Sequence, residues 1–172
     1  MFPLVISNLL LGAINCALTI DELHENDRTP TGYESRLRIC SRIYNESSEQ
    51  GIRPELAMAV GWLESRYSYA QGRWLTTRSG RKVRAEGPMQ ILKIYHCKRN
   101  PRCDTLSTGV RLLARLVHEH GELHGLAIYG GGSVSPRSLR YARIAIRTSR
   151  EIRSLLLEHN FSLPDFLDLS LD

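Results

Sequence analysis

The stretch Arg53-Pro-Glu-Leu-Ala-Met-Ala-Val-Gly-Trp-Leu-Glu-Ser65 decides how the rest of the chain is read. Pro54 suits the first helical position, where its missing N–H leaves nothing unsatisfied, and Glu55 suits the positive end of the helix dipole. Leu56, Ala59, Val60 and Leu63 recur at helical spacing, so one face belongs in a core. Glu64 closes this apolar run at the C-terminal end. A carboxylate is poorly placed there, because the partial negative charge of the last carbonyls raises its energy as an anion. Partial burial acts in the same direction and favours the protonated form. Glu64 is therefore the candidate general acid of the chain, and its plainer alternative is a solvated residue at a helix end.

The 172 residues are 42% hydrophobic and 24% charged, which describes one globular domain with room for a core rather than a disordered chain. The formal charge is +5, with arginines crowded between Arg66 and Arg153 while Asp21–Glu64 leans acidic. Such a surface suits nucleic acid, anionic lipid or an anionic wall polymer, and charge alone does not choose. The arginine-rich stretch Arg137–Arg153 has little aromatic interleaving and no nucleic-acid-binding motif, so no nucleic-acid partner is expected.

Residues 1–20 carry no charged side chain and read as a signal segment, with the charged chain beginning at Asp21. Export to the periplasm or cell envelope is the expectation, with membrane contact only through this segment if it stays uncleaved. The apolar run lacks a preceding Lys or Arg, and a buried N-terminal helix is the alternative. In an exported chain Cys97 and Cys103 form a local disulfide, and Cys40 is left as a buried free thiol. A zinc site from Cys97, Cys103, His96, His120 and His124 lacks the usual paired ligand spacing, so no metal or cofactor is expected.

Residues 21–33 read as a linker containing Pro30 and Gly32, and 34–160 as the folded domain. Glu34–Glu49 shows helical spacing of Leu37, Ile39, Cys40, Ile43 and Tyr44, followed by Gly51. Trp74–Thr77 and Arg81–Val83 flank Arg78-Ser79-Gly80, which predicts a β-hairpin. Glu86–Leu92 reads as a short helix entered through Pro88. A helix from Asp104 or Thr105 to about His120 follows, broken at Gly121, with a shorter helical piece over Glu122–Tyr129. Ser135-Pro136 starts the last helix, running to about Asn160, with Leu139, Ala142, Ile146, Ile152, Leu155 and Leu156 inward. Residues 161–172 are a tail. The fold class is α+β and predominantly α-helical, with a hairpin beside a helical lobe and a cleft between them.

Three short motifs in order, Glu64-Ser65, then Gly87-Pro88-Met89-Gln90-Ile91, then Ala127-Ile128-Tyr129-Gly130, resemble the soluble lytic transglycosylase (goose-type lysozyme-like) family. Its pattern is Glu-Ser, Gly-Leu-Met-Gln and Ala-Tyr-Asn, and the resemblance spans roughly Glu34 to Tyr141. Pro88 stands where the family has Leu, and Gly130 where it has a sugar-contacting Asn. The resemblance implies a lysozyme-like domain with a glycan-binding cleft, and peptidoglycan strands as substrate. It also implies a single catalytic carboxyl, Glu64, that cleaves the bond between N-acetylmuramic acid and N-acetylglucosamine and leaves a 1,6-anhydro end. Tyr129 would orient Glu64, Ser65 would support the helix end, and Gly87, Met89, Gln90 and the Gly130 position would line the substrate cleft. The layout of a signal segment and one domain is similar to that of transglycosylases that accompany secretion, conjugation or pilus machines, and also to that of phage enzymes. Glu86 is the possible second carboxylate, which would make the enzyme a hydrolysing muramidase instead. A non-catalytic wall-binding protein of the same fold is the remaining alternative, resting on Gly130.

Overall fold

A helix that is apolar all round must be covered all round, and α3 (Pro54–Ser65) is that helix. Seven consecutive residues, Leu56 to Trp62, are buried, where the spacing of large side chains predicts a single inward face. The small residues on the other faces account for the difference, because Ala57 and Gly61 let neighbours approach closely. At Gly61 the space of a side chain is filled by Ile43 Cδ1 and the Tyr67 ring, 2.6 and 3.2 Å from where a Cβ would stand.

The computed structural model describes residues 8–23, 30–77, 79–97, 100 and 102–160. Its elements are α1 (Asn8–Leu23), α2 (Pro30–Glu49), α3, β1 (Gln71–Thr76), β2 (Lys82–Glu86), α4 (Lys93–His96), α5 (Thr105–Gly131) and α6 (Pro136–Asn160). The molecule is α+β and mostly helical, and its strands form one two-stranded antiparallel sheet. Helix α3 packs against α2 and α6, α5 against α6 and α2, and α1 against α2 and α6. Leu56, Met58, Ile43, Met89, Leu113 and Ile152 are among the fully buried side chains at the centre.

The hairpin forms where predicted, with Leu75 opposite Val83 and Thr76 opposite Lys82. Gly80 takes a positive φ of 79° in its turn. Ser135 caps α6, its Oγ accepting the Ser138 N–H at 3.2 Å. The long helix α5 is bent at Gly121, whose φ of 73° and ψ of 167° no helix allows, so its two arms fold against each other. Gly125 permits this, because a Cβ there would sit 2.6 Å from the Leu116 carbonyl oxygen. Arg53 fastens the bend to the start of α3, with Nε and Nη2 each 2.8 Å from the Glu122 carboxylate.

Three expectations need correction. Residues 87–90 form a turn rather than a helix, closed by Gln90 N–H to the Gly87 carbonyl at 3.0 Å and by a bridge between Glu86 and Ile91. Gly87, with φ of 79°, suits such a turn better than a helix. Cys40 is not a free thiol, since it is joined to Cys16, while Cys97 and Cys103 are paired as expected. Finally, Asn8–Leu23 is an integral helix: Cys16, Thr19 and Ile20 are buried and the disulfide ties α1 to α2. The expected division at residue 20 thus falls inside a helix, and the expected linker at 21–33 takes in the end of α1 and the start of α2. Residues 1–7, the middle of that linker and the tail 161–172 lie outside the described residues. Among the described residues no helix is long and apolar enough to cross a membrane.

The Cys16–Cys40 bridge closes a sequence span of 24 residues, which should stabilise the fold by roughly 3 kcal/mol. Replacing both residues with Ala is expected to lower the urea midpoint accordingly. An unchanged midpoint would mean that packing alone holds α1.

Candidate active site

Glu64 stands in the last turn of α3, half-buried, at the wall of a cleft of about 700 Å³. The chain leaves the helix abruptly. Arg66 and Tyr67 are both left-handed, with φ of 54° and 53°, and Gln90 across the cleft has φ of 47°. Non-glycine residues rarely take this conformation, and it persists only where surrounding contacts hold it. Here the contacts are specific: Tyr67 is fully buried and donates its hydroxyl to the Met58 carbonyl at 3.0 Å. Ser65 Oγ donates to the Pro88 carbonyl at 2.9 Å and accepts the Ser68 N–H at 3.1 Å. Ser65 therefore pins the end of α3 to the 87–90 turn.

The partner of Glu64 is Tyr141 of α6, whose hydroxyl donates to Oε1 at 2.6 Å. Tyr129, expected in that role, instead donates to the Met89 carbonyl at 2.6 Å while still lining the cleft. Burial raises the Glu64 carboxyl above the ordinary glutamate value, and the Tyr141 hydrogen bond opposes this only in part. Both tyrosines are in turn pushed well above the ordinary phenol value, by burial first and by the Glu64 charge second. The carboxyl is therefore biased toward holding a proton that it can give up in the cleft.

Gly130 explains how Tyr141 gets there. A Cβ at position 130 would run into the Tyr141 ring, so the absent side chain provides the space for the ring that reaches Glu64. The position lines the cleft through its backbone and supplies no side-chain contact to a ligand. Met89 is not a cleft residue, being fully buried against Gly109. Gln90 does line the cleft, its amide braced on the carbonyls of Ala70 and Gly87 at 2.9 Å each. The open side of Gly87 faces Thr105 of α5 rather than the cleft, so its role is packing. Glu86 is held by Lys93 Nζ at 2.8 Å and is not among the cleft-lining residues.

The residues missed in the sequence are Tyr141, which bonds Glu64, and Arg73 and Arg115 on the cleft wall, while His96, also on that wall, was weighed only as a zinc ligand. Tyr141 alone left a signal, as the single aromatic residue in an arginine-rich helix. The kink at Gly121 brings both arms of α5 to the cleft, Leu112 and Leu116 from one and Ile128 to Gly131 from the other. No family model, curated protein or solved structure matches the chain.

The raised carboxyl makes the folded chain bind this proton more tightly than the unfolded chain does. The stability contributed by Glu64 is therefore fully present below the ordinary glutamate value and is lost as pH rises through the raised one. Glu64→Gln keeps the shape and cannot ionise. It should be more stable than the parent at about pH 7 and nearly equal to it at about pH 4, in paired urea melts. A variant that is less stable at both values would contradict this account of the site.

Proposed function

We propose that this protein is a peptidoglycan lytic transglycosylase with a lysozyme-like fold, in which Glu64 acts in turn as acid and base. The observation that carries the reading is a desolvated carboxyl, held by one tyrosine, as the sole carboxylate lining a cleft of about 700 Å³ among the described residues. The hairpin on one side of that cleft and the helical body on the other are what a lysozyme-like enzyme needs to bind an extended glycan.

In this mechanism Glu64 protonates the oxygen between N-acetylmuramic acid and N-acetylglucosamine as the bond from that oxygen to C1 breaks. The muramic acetamido oxygen takes up the positive charge at C1. Glu64, now a carboxylate, removes the proton of the C6 hydroxyl, whose oxygen bonds to C1 and displaces the acetamido oxygen. The product is a 1,6-anhydro end, and Glu64 has its proton back. Tyr141 positions the carboxyl in both steps, stabilising its anionic form through the 2.6 Å hydrogen bond. Inverting hydrolysis would need a second carboxylate roughly 6.5–9.5 Å from the first to activate water, and the pairing of Glu86 with Lys93 weighs against it. The two disulfides fit an oxidising compartment, which is where the substrate lies.

Mass spectrometry of muropeptides released from purified sacculi tests the assignment. Anhydro-muropeptides are expected from the parent protein, and Glu64→Gln should slow release by roughly 100- to 10,000-fold with the fold retained. Reducing-end products would indicate a hydrolase, and full release by a folded Glu64→Gln variant would remove Glu64 from the mechanism.

A further inference from the structure

Two groups on the cleft wall have no task in the reaction above. Arg115, exposed on the first arm of α5, and His96, half-buried at the end of α4, both line the cleft that holds Glu64. Neither side chain has a hydrogen-bond or ion-pair partner among the described residues. They are close enough for the Arg115 charge to add to burial in lowering the His96 ring below its ordinary value. The other charged groups on this wall are Arg73 of β1 and Glu64 itself, while Tyr95, Leu112 and Leu116 supply apolar surface. Elsewhere in the fold Arg53 is matched to Glu122, Arg42 to Asp104, and Arg84 lies over the Trp74 ring. Here a guanidinium and an imidazole sit in a cavity with unspent donors. A guanidinium is a planar, permanently charged fork, suited to a carboxylate.

We infer that the Arg115–His96 wall binds a carboxylate borne by the lactyl arm of the muramic sugar, and so selects muramic glycans over neutral N-acetylglucosamine chains. The inference rests on the glycan-cleaving reading of the same cleft. The carboxylate has two sources, the free lactyl acid of a peptide-stripped strand or the acids of an attached stem peptide. Leu112, Leu116 and Tyr95 give the intervening carbon chain an apolar wall to lie on.

The test uses the full chain carrying Glu64→Gln, so that sugars bind without being cut, with and without Arg115→Gln. Calorimetry would measure three probes: a peptide-bearing muramic tetrasaccharide, the same sugar after amidase treatment, and chitotetraose. At least one muramic probe should bind roughly 10- to 100-fold more tightly than chitotetraose, the range for a hydrogen bond to a charged group. Arg115→Gln should abolish that gap and leave chitotetraose unaffected, and the tighter muramic probe identifies the source of the carboxylate. The His96 ring should also titrate at higher pH in the muramic complex than in the free protein by NMR, which a merely structural Arg115 would not produce. Equal binding of all three probes, or a gap that survives Arg115→Gln, overturns the inference and leaves the proposed reaction standing. Binding of none of them by folded protein overturns both.

Discussion

The 2.6 Å hydrogen bond from Tyr141 to Glu64 is the contact on which the arrangement of the cleft depends. It joins the end of the most buried helix to α6, which packs against both α3 and α5. Burial and hydrogen bonding act on the carboxyl in opposite directions, and burial is the larger. A carboxyl with stronger partners would be a settled anion, and one without any would leave its anionic form unsupported in a poorly solvated place. A single neutral donor keeps both protonation states within reach, which suits a group that must alternate between them.

Much of the helical framework was legible because it follows from spacing and caps. The start of α3 at Pro54, the start of α6 at Ser135-Pro136, the break at Gly121 and the turn at Gly80 each rest on local chemistry that a few residues carry. The covering of α3 on every side was not legible, because Ala57 and Gly61 say nothing alone about which neighbours will press against them. For the same reason Met89 reads as a cleft residue by its place in a motif, yet is buried against Gly109.

The candidate site was legible in part. Glu64 stood out through the conflict between a carboxylate and the end of an apolar helix. Its tyrosine partner did not, because the choice between Tyr129 and Tyr141 is made by tertiary packing. Two hydroxyls are available, and the Met89 carbonyl takes one of them. The deciding signal is a missing side chain: Gly130 cedes its volume to the Tyr141 ring. A departure from a motif that looks like a lost sugar contact is thereby linked to a gained contact with the carboxyl. His96 and Arg115 lie 19 residues apart and come to share one cleft wall only through the tertiary fold.

The bridge between Cys16 and Cys40 has a consequence for the covalent history of the chain. Proteolysis at any peptide bond between these two residues, including one after Ile20, would not set the N-terminal piece free. The nicked protein would remain a two-chain molecule, running as one band on a non-reducing gel and as two once thiol is added. Loss of α1 would therefore require reduction of the disulfide as well as a cut in the chain.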